Sequence, residues 1–418
     1  MKVLKKGLGF FLSLALLAGC ESNSSSSNSL INCDSRFVVS DIRQIYLFEY
    51  KDPTSLNFDL LHKFENVSNN GAFFDCARNA IVSPYGYKGK NNNESGVSIF
   101  KLDTKKVKDY NIPDGVNGQL GLYKNGVLLS SRLIYSSKID TSLGFVPERE
   151  IISKEYVDKH PENVSKEIIN DYKKGVLWKK YEYMHLFDLN KNKVVKSYKQ
   201  NADFGEVING KLHAQFIDAF GIVNLEDGSR KKIIERSTLK NKEKGIQLSI
   251  PANIISAFSD SGYFAITTDK SWNYSNGRGH KVLKSLDSNS IYMAIDGTLV
   301  KQISLPFENP SYAITIGSEI FVFSRGGKYI SKYNFSTKRL INYDMSELLE
   351  LENYSINSVG YMNNNFIFSM TDTKNTTGII FSTNNKFSKV SPIYKVNMSN
   401  MSVTTNKNIQ TNFYRAVH

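Results

Sequence analysis

The chain has 418 residues, of which 40% are apolar, 22% charged and 12% aromatic, with a formal charge of +13. These values exclude a disordered tail, a collagen-like fibre and a small disulfide-stapled domain, and leave enough apolar surface for a full core. Only 9 Pro stand against 27 Gly, 25 Phe and 23 Tyr, a balance that favours many strands and tight turns.

In chain order, residues 1–20 read as an export signal. Lys2, Lys5 and Lys6 form its positive region, and Leu8 to Leu17 form an apolar run too short to span a bilayer. The run ends in Leu17, Ala18, Gly19 and Cys20, which resembles the lipobox of bacterial lipoproteins. The resemblance implies that Cys20 is lipidated and becomes the mature first residue, with several acyl chains such as palmitate giving stable membrane anchoring. Glu21 follows the cysteine, and in lipoproteins of this kind the absence of Asp there favours the outer membrane of a Gram-negative cell. Residues 21–29 are a Ser/Asn-rich tether, and a folded body is expected over 30–418. No later run of eighteen apolar residues signals a transmembrane helix.

Removal of the three signal lysines leaves the mature chain at +10. Its lysines are scattered in short clusters rather than gathered with aromatics on one element, which argues against nucleic acid and leaves anionic head groups, polysaccharide or acidic proteins as partners. Lipidation of Cys20 leaves Cys33 and Cys76 as an even pair, expected to form a disulfide that stabilises the fold by roughly 4 kcal/mol in the chain-entropy account; two free buried thiols are the alternative.

A recurring unit runs through the body: a short alternating strand, a turn rich in Asp, Asn, Gly or Lys, and a second strand. Copies lie at 45–64, 97–112, 185–198, 221–234, 291–305, 329–343 and 378–390. Between them lie inner hairpins at 118–129, 205–214 and 359–368, each with a tight polar turn. Two hairpins per unit predict an all-β fold, a β-propeller of about seven four-stranded blades, with six or eight as alternatives. The pattern resembles quinoprotein-like and related envelope propellers, although only Trp178 and Trp272 occur where such repeats carry a Trp in each blade. Closure is expected where a strand at Phe37 to Val39 or Ile45 to Tyr50 completes the blade of 378–397. Residues 136–183 break the rhythm and predict a partly helical insertion, from Ile168, Ile169 and Tyr172 ahead of Gly175.

Chemistry is sparse. The six histidines show no metal-ligand spacing, and no nucleophile elbow, phosphate loop or calcium loop occurs, so no catalytic residue, metal or cofactor is assigned. His185 and His213 fall in strand-like runs and read as structural. The most ligand-like stretch is the loop carrying Trp272, Asn273, Tyr274, Arg278 and His280, where aromatics beside polar groups suit a sugar ring. The expectation is a lipid-anchored, non-catalytic binding or assembly module of the envelope, recognising protein or polysaccharide. The alternative is a polysaccharide-processing enzyme, glycosidase or lyase, with residues converging at the propeller channel.

Overall fold

In this computed structural model the described residues are 33–405, apart from 53, 68–70, 89–93, 113–115, 117, 137–148, 151–157, 160–168, 171–172, 174–177, 201, 203, 217–218, 236–254, 259–263, 268–272, 276–279, 283–289, 296–297, 308–309, 350–352 and 375–376. They belong to one compact unit, Asn32–His418.

Nearly every element is an antiparallel strand. From innermost to outermost, sheet 1 contains Ser402–Thr405, Arg36–Ser40, Gln44–Tyr50 and Phe58–Glu65, and sheet 2 contains Phe73–Asp75, Ala80–Lys88, Glu94–Lys101 and Lys106–Asn111. Sheet 3 contains Gly118–Tyr123, Gly126–Ser136, Trp178–Asp188 and Lys193–Tyr198, with Arg149–Glu150 as a fifth strand. Sheet 4 contains Phe204–Ile208, Lys211–Gln215, Ala219–Asn224 and Arg230–Glu235. Sheet 5 contains Ile255–Phe258, Phe264–Thr267, Ser290–Ile295 and Thr298–Ser304, and sheet 6 contains Pro310–Ile316, Glu319–Ser324, Tyr329–Asn334 and Leu340–Asp344. Sheet 7 contains Tyr354–Met362, Asn365–Asp372, Gly378–Asn384 and Tyr394–Val396.

Each sheet packs against the next in sequence, and sheet 7 packs against sheet 1 through the strand Ser402–Thr405. Radial sheets closed into such a ring are a β-propeller. The expectation of about seven four-stranded blades is corrected: six described sheets have four strands, and the sheet of residues 118–198 has five. The extra strand arises because Gly126–Ser136 and Trp178–Asp188 pair over their full length, so that the third strand outruns its outer partner. Arg149–Glu150 then pairs with Lys179 and Lys180 on the uncovered stretch.

The expected partly helical insertion over 136–183 keeps helical residues but has narrower bounds. Trp178 to Tyr183 is strand, as the alternation of Tyr181, Tyr183, His185 and Phe187 permits, and Arg149–Glu150 is strand as well. Asp158, Lys159, Ile169, Asn170 and Lys173 are helical, and most of the remaining insertion lies outside the described residues.

Burial follows position in the sheet. Inner strands are covered on both sides by neighbouring sheets and are buried almost throughout, as in Glu319–Ser324 and Asn365–Asp372. The outer strand Phe58–Glu65 alternates half-buried and exposed residues. The core is consequently divided into sectors between adjacent sheets. Phe37, Phe48, Ile367 and Val403 fill the sector between sheets 1 and 7, and Phe321, Phe323, Phe366 and Phe368 fill that between sheets 6 and 7. Offset and edge-to-face ring contacts knit these sectors, including Phe368 on Phe381 at 5.0 Å and Phe323 on Phe366 at 5.8 Å.

The repeated polar turn has a repeated physical role. In the outer hairpins an Asp or Asn side chain caps its own turn: Asp188 Oδ1 accepts from the backbone N–H of Asn190 and Lys191, and Asn334 Oδ1 from those of Ser336 and Thr337. A buried apolar residue at the start of each of these outer turns donates its N–H to the inner hairpin's turn. Leu102 donates to Asn79, Leu189 to Asn125, Leu225 to Gly210 and Phe335 to Ser318. One apolar and one Asp/Asn position thus lock the two hairpins of a sheet together.

Closure departs from expectation. Residues 378–396 complete sheet 7 themselves, and the strand Arg36–Ser40 pairs instead with Ser402–Thr405, with Phe37 opposite Thr405 and Ser40 opposite Ser402. This last strand is also fixed to sheet 7, where Ser358 Oγ accepts from the Val403 N–H at 3.1 Å and Thr405 Oγ1 donates to the Tyr361 carbonyl at 3.2 Å. Gly360 is required at that approach, because a Cβ there would stand 2.7 Å from Val403 Cγ1.

Candidate binding face

Strand direction divides the propeller into two unlike ends. The innermost strands of sheets 7 and 1 run side by side in the same direction, since Ser358 meets Val403 and Tyr361 meets Thr405. Within each antiparallel sheet, the first-to-second and third-to-fourth turns therefore lie at one end. The second-to-third connections and the sheet-to-sheet connections lie at the other.

The first end is built from tight turns. Asn79, Lys124, Asn209 and Asn363 sit in its inner turns, and Lys105, Asn192 and Lys338 in its outer ones, all with positive φ. Asn and Gly take that conformation readily, which is why these turns are rich in both. Side chains bind sheet to sheet here. Tyr123 donates its hydroxyl to Glu226 at 2.5 Å, Lys124 pairs with the same carboxylate at 2.8 Å, and Tyr198 donates to the Leu225 carbonyl at 2.8 Å. Lys124 and Tyr123 hold the Glu226 carboxyl below its usual range, while burial and neighbouring groups push Tyr198 up to about 12. Arg78 pairs with Asp75 at 2.5 Å and reaches Asn190 of the next sheet.

The opposite end receives the long connections. The stretch from Ser136 to Trp178, that from Glu235 to Ile255 and that from Thr267 to Ser290 all begin and end there. The candidate ligand loop falls in the third of these. Its backbone forms a two-stranded hairpin, Asn273–Ser275 with His280–Val282, pairing Tyr274 with Lys281 and Ser275 with His280. Trp272 and Arg278 lie outside the described residues. Arg325, Gly326 and Gly327, at the second-to-third connection of sheet 6, form the turn their sequence suggests, with the Gly327 N–H bonded to the Ser324 carbonyl at 2.9 Å.

Buried carboxylates at this end serve their own turns. Asp41 Oδ1 accepts from the N–H groups of Arg43 and Gln44, each at 2.7 Å; burial raises its carboxyl against the opposing pull of those bonds. Asp372 Oδ1 accepts from the Lys374 N–H at 2.8 Å. Among the described residues, no three His, Cys, Asp or Glu side chains gather as metal ligands. The innermost strands carry few carboxylates: Asp75, engaged by Arg78, and Glu206, which stands directly opposite His213 in cross-strand register. That Glu206–His213 juxtaposition spans two strands of sheet 4 and has no local sequence motif. His213 is buried, and so is His185, whose Nδ1 shares a 2.8 Å hydrogen bond with Ser197 Oγ.

Cys20 and the 21–29 tether lie outside the described residues. Cys33 and Cys76 each begin a single 3-10 turn, Cys33–Ser35 and Cys76–Arg78, both at the tight-turn end. These turns neighbour one another, as Arg36 Nη1 donates to Asn79 Oδ1 at 3.5 Å and its guanidinium lies 5.3 Å from the Phe74 ring centroid.

No family model matches the chain. No curated protein matches it either. Among solved structures it is similar to the dihydro-heme d1 dehydrogenase NirN, with 10% identity and a TM-score of 0.47, covering 92% of this chain and 77% of that one. It is also similar to the AfRom2 CNH domain, with 12% identity and a TM-score of 0.43 over 85% of this chain and 93% of that one. Apo AztD from Citrobacter koseri aligns at 10% identity and a TM-score of 0.39 over 88% and 97% of the respective chains. These likenesses concern the fold, and no function is carried over from them.

Proposed function

We propose that the chain is a lipid-anchored envelope propeller that acts as a non-catalytic binding or assembly module, presenting its long-connection end to a protein or polysaccharide. The observation that carries this reading is the segregation of the three longest connections, 137–177, 236–254 and 268–289, to one end, while the inner turns of the other are short and hydrogen-bonded. Long connections on a rigid scaffold are where recognition surfaces concentrate. The anchor is Cys20, on the strength of its lipobox-like setting. A Cys33–Cys76 disulfide pins the entering segment; support comes from the adjacency of the two turns.

The test combines envelope pull-down and glycan arrays with the folded body. Substitutions at the long-connection end, such as Lys328→Glu with Lys374→Glu, should reduce capture of the partner, whereas Lys191→Glu at the tight-turn end should not. Radiolabelled palmitate should enter the wild-type chain and not Cys20→Ser. A glycan degraded by purified protein, with nothing captured, would replace this reading by the enzymatic one. The one observation favouring that alternative is Glu206 opposite His213, so Glu206→Gln should then abolish turnover.

A further inference from the structure

The tight-turn end is where the described chain begins. Asp34 is held there by its carbonyl, which accepts from Asn363 Nδ2 of the sheet 7 turn at 2.7 Å, and Arg36 reaches Asn79 of the sheet 2 turn. The chain therefore enters the propeller between two turns of this end, and the segment joining the body to Cys20 leaves from it.

The same end is basic. Lys105, Lys191, Lys338, Arg339, Lys386 and Lys389 are exposed on the outer turns of sheets 2, 3, 6 and 7, and none makes an ion pair among the described residues. The described acids on the outer turns of all seven sheets are fewer: Asp52, Asp103, Asp188 beside Lys191, Glu226 and Asp227. Glu226 is itself neutralised by Lys124 at 2.8 Å. Among the described residues of the opposite end, Arg43, Arg325, Lys328 and Lys374 stand among Asp344, Glu347 and the turn carboxylates.

We infer that the tight-turn end is a docking platform for anionic phospholipid head groups, so that the propeller rests on the bilayer with its long connections pointing away. This extends the lipid-anchor reading and rests on it for orientation. Only the stretch 21–32 separates Cys20 from the body in sequence, which ties this end to the membrane to which Cys20 would be fixed. Surface attraction acts within a Debye length of about 8 Å at physiological salt, so only the face nearest the tether benefits. Exposed lysines on a ring of turns can then meet phosphates together, each as a point charge.

The experiment uses the compact unit, residues 32–418, without its acylated cysteine, and vesicles of phosphatidylcholine with or without about one-third phosphatidylglycerol. The body should bind the anionic vesicles, release as salt is raised, and ignore neutral ones. Lys191→Glu, Arg339→Glu and Lys386→Glu together should weaken binding by at least about a hundredfold, roughly fivefold for each cation lost, with repulsion by the new carboxylates adding to it. The matched triple Arg325→Glu, Lys328→Glu and Lys374→Glu, of identical net charge, should retain binding to within a few-fold. Circular dichroism of both triples checks folding. Equal loss in the two triples, equal binding to neutral vesicles, or no binding by the body would overturn the proposal. Failure of the anchor reading registers separately, as absent acyl labelling at Cys20.

Discussion

At the residue scale, the closing seam contains a chemical imbalance. The hydroxyls of Ser40, Ser402 and Thr404 are buried and have no hydrogen-bond partner among the described residues, although their backbones pair across the seam. An unsatisfied buried hydroxyl costs about 1 to 3 kcal/mol, whereas an isosteric methyl does not. Thr404→Val should therefore raise stability by about 1 kcal/mol, read as a higher urea midpoint with an unchanged slope. A titrating residue gives a second expectation. Burial, then Lys105 and Arg36, hold the half-buried His62 imidazole below its usual 6.5. As pH falls through 6.5 the unfolded chain takes up this proton first, so the stability present above that pH declines until the folded imidazole also protonates. The difference between urea midpoints at pH 7.5 and 5.5 should accordingly be smaller in His62→Asn than in the wild type.

At the element scale, the unit of construction is the pair of hairpins locked by one capped turn. Asn334→Ala removes the acceptor for Ser336 and Thr337 while leaving the buried Phe335 in place. It should cost about 1 kcal/mol and raise hydrogen exchange selectively in Tyr329–Leu340, measurable by mass spectrometry. These outer hairpins were legible in the sequence because they lie at the rim, where one side meets solvent and apolar and polar residues alternate around an Asp or Asn turn. The innermost strands were legible only in part: those of sheets 3, 4 and 7 fall in the hairpins read at 118–129, 205–214 and 359–368, and others left no pattern. Phe73–Asp75 is too short to show a period, and Ser402–Thr405 offers one apolar residue among hydroxyls. Their strand character comes from pairing partners far away in sequence. The binding face was hidden for the same reason, since which connections share an end follows from strand direction around the ring. Glu206 and His213 met only once the register of sheet 4 was set.

For the whole molecule, closure depends on Ser402–Thr405. Met401 and Val403 are buried in the sector shared with Phe37 and Ile367, a contribution of about 4 kcal/mol for two fully buried side chains. A chain ending at residue 400 would lose this and leave the edge of Arg36–Ser40 unpaired, an invitation to intermolecular pairing. It should elute as soluble aggregate in size-exclusion chromatography, and a synthetic peptide covering 398–408 should restore the monomer peak.

The pairing of the first strand with the last also governs when the protein can mature. Gln44 donates to the Asn397 carbonyl across a sequence separation of 353 residues. While a ribosome is still elongating the chain, sheet 1 therefore has no innermost strand, and the earliest segments wait in an open arc. Such distant contacts form slowly. A ring that cannot close until residues 402–405 have been made stays open through the synthesis of all the sheets between them and the first strand.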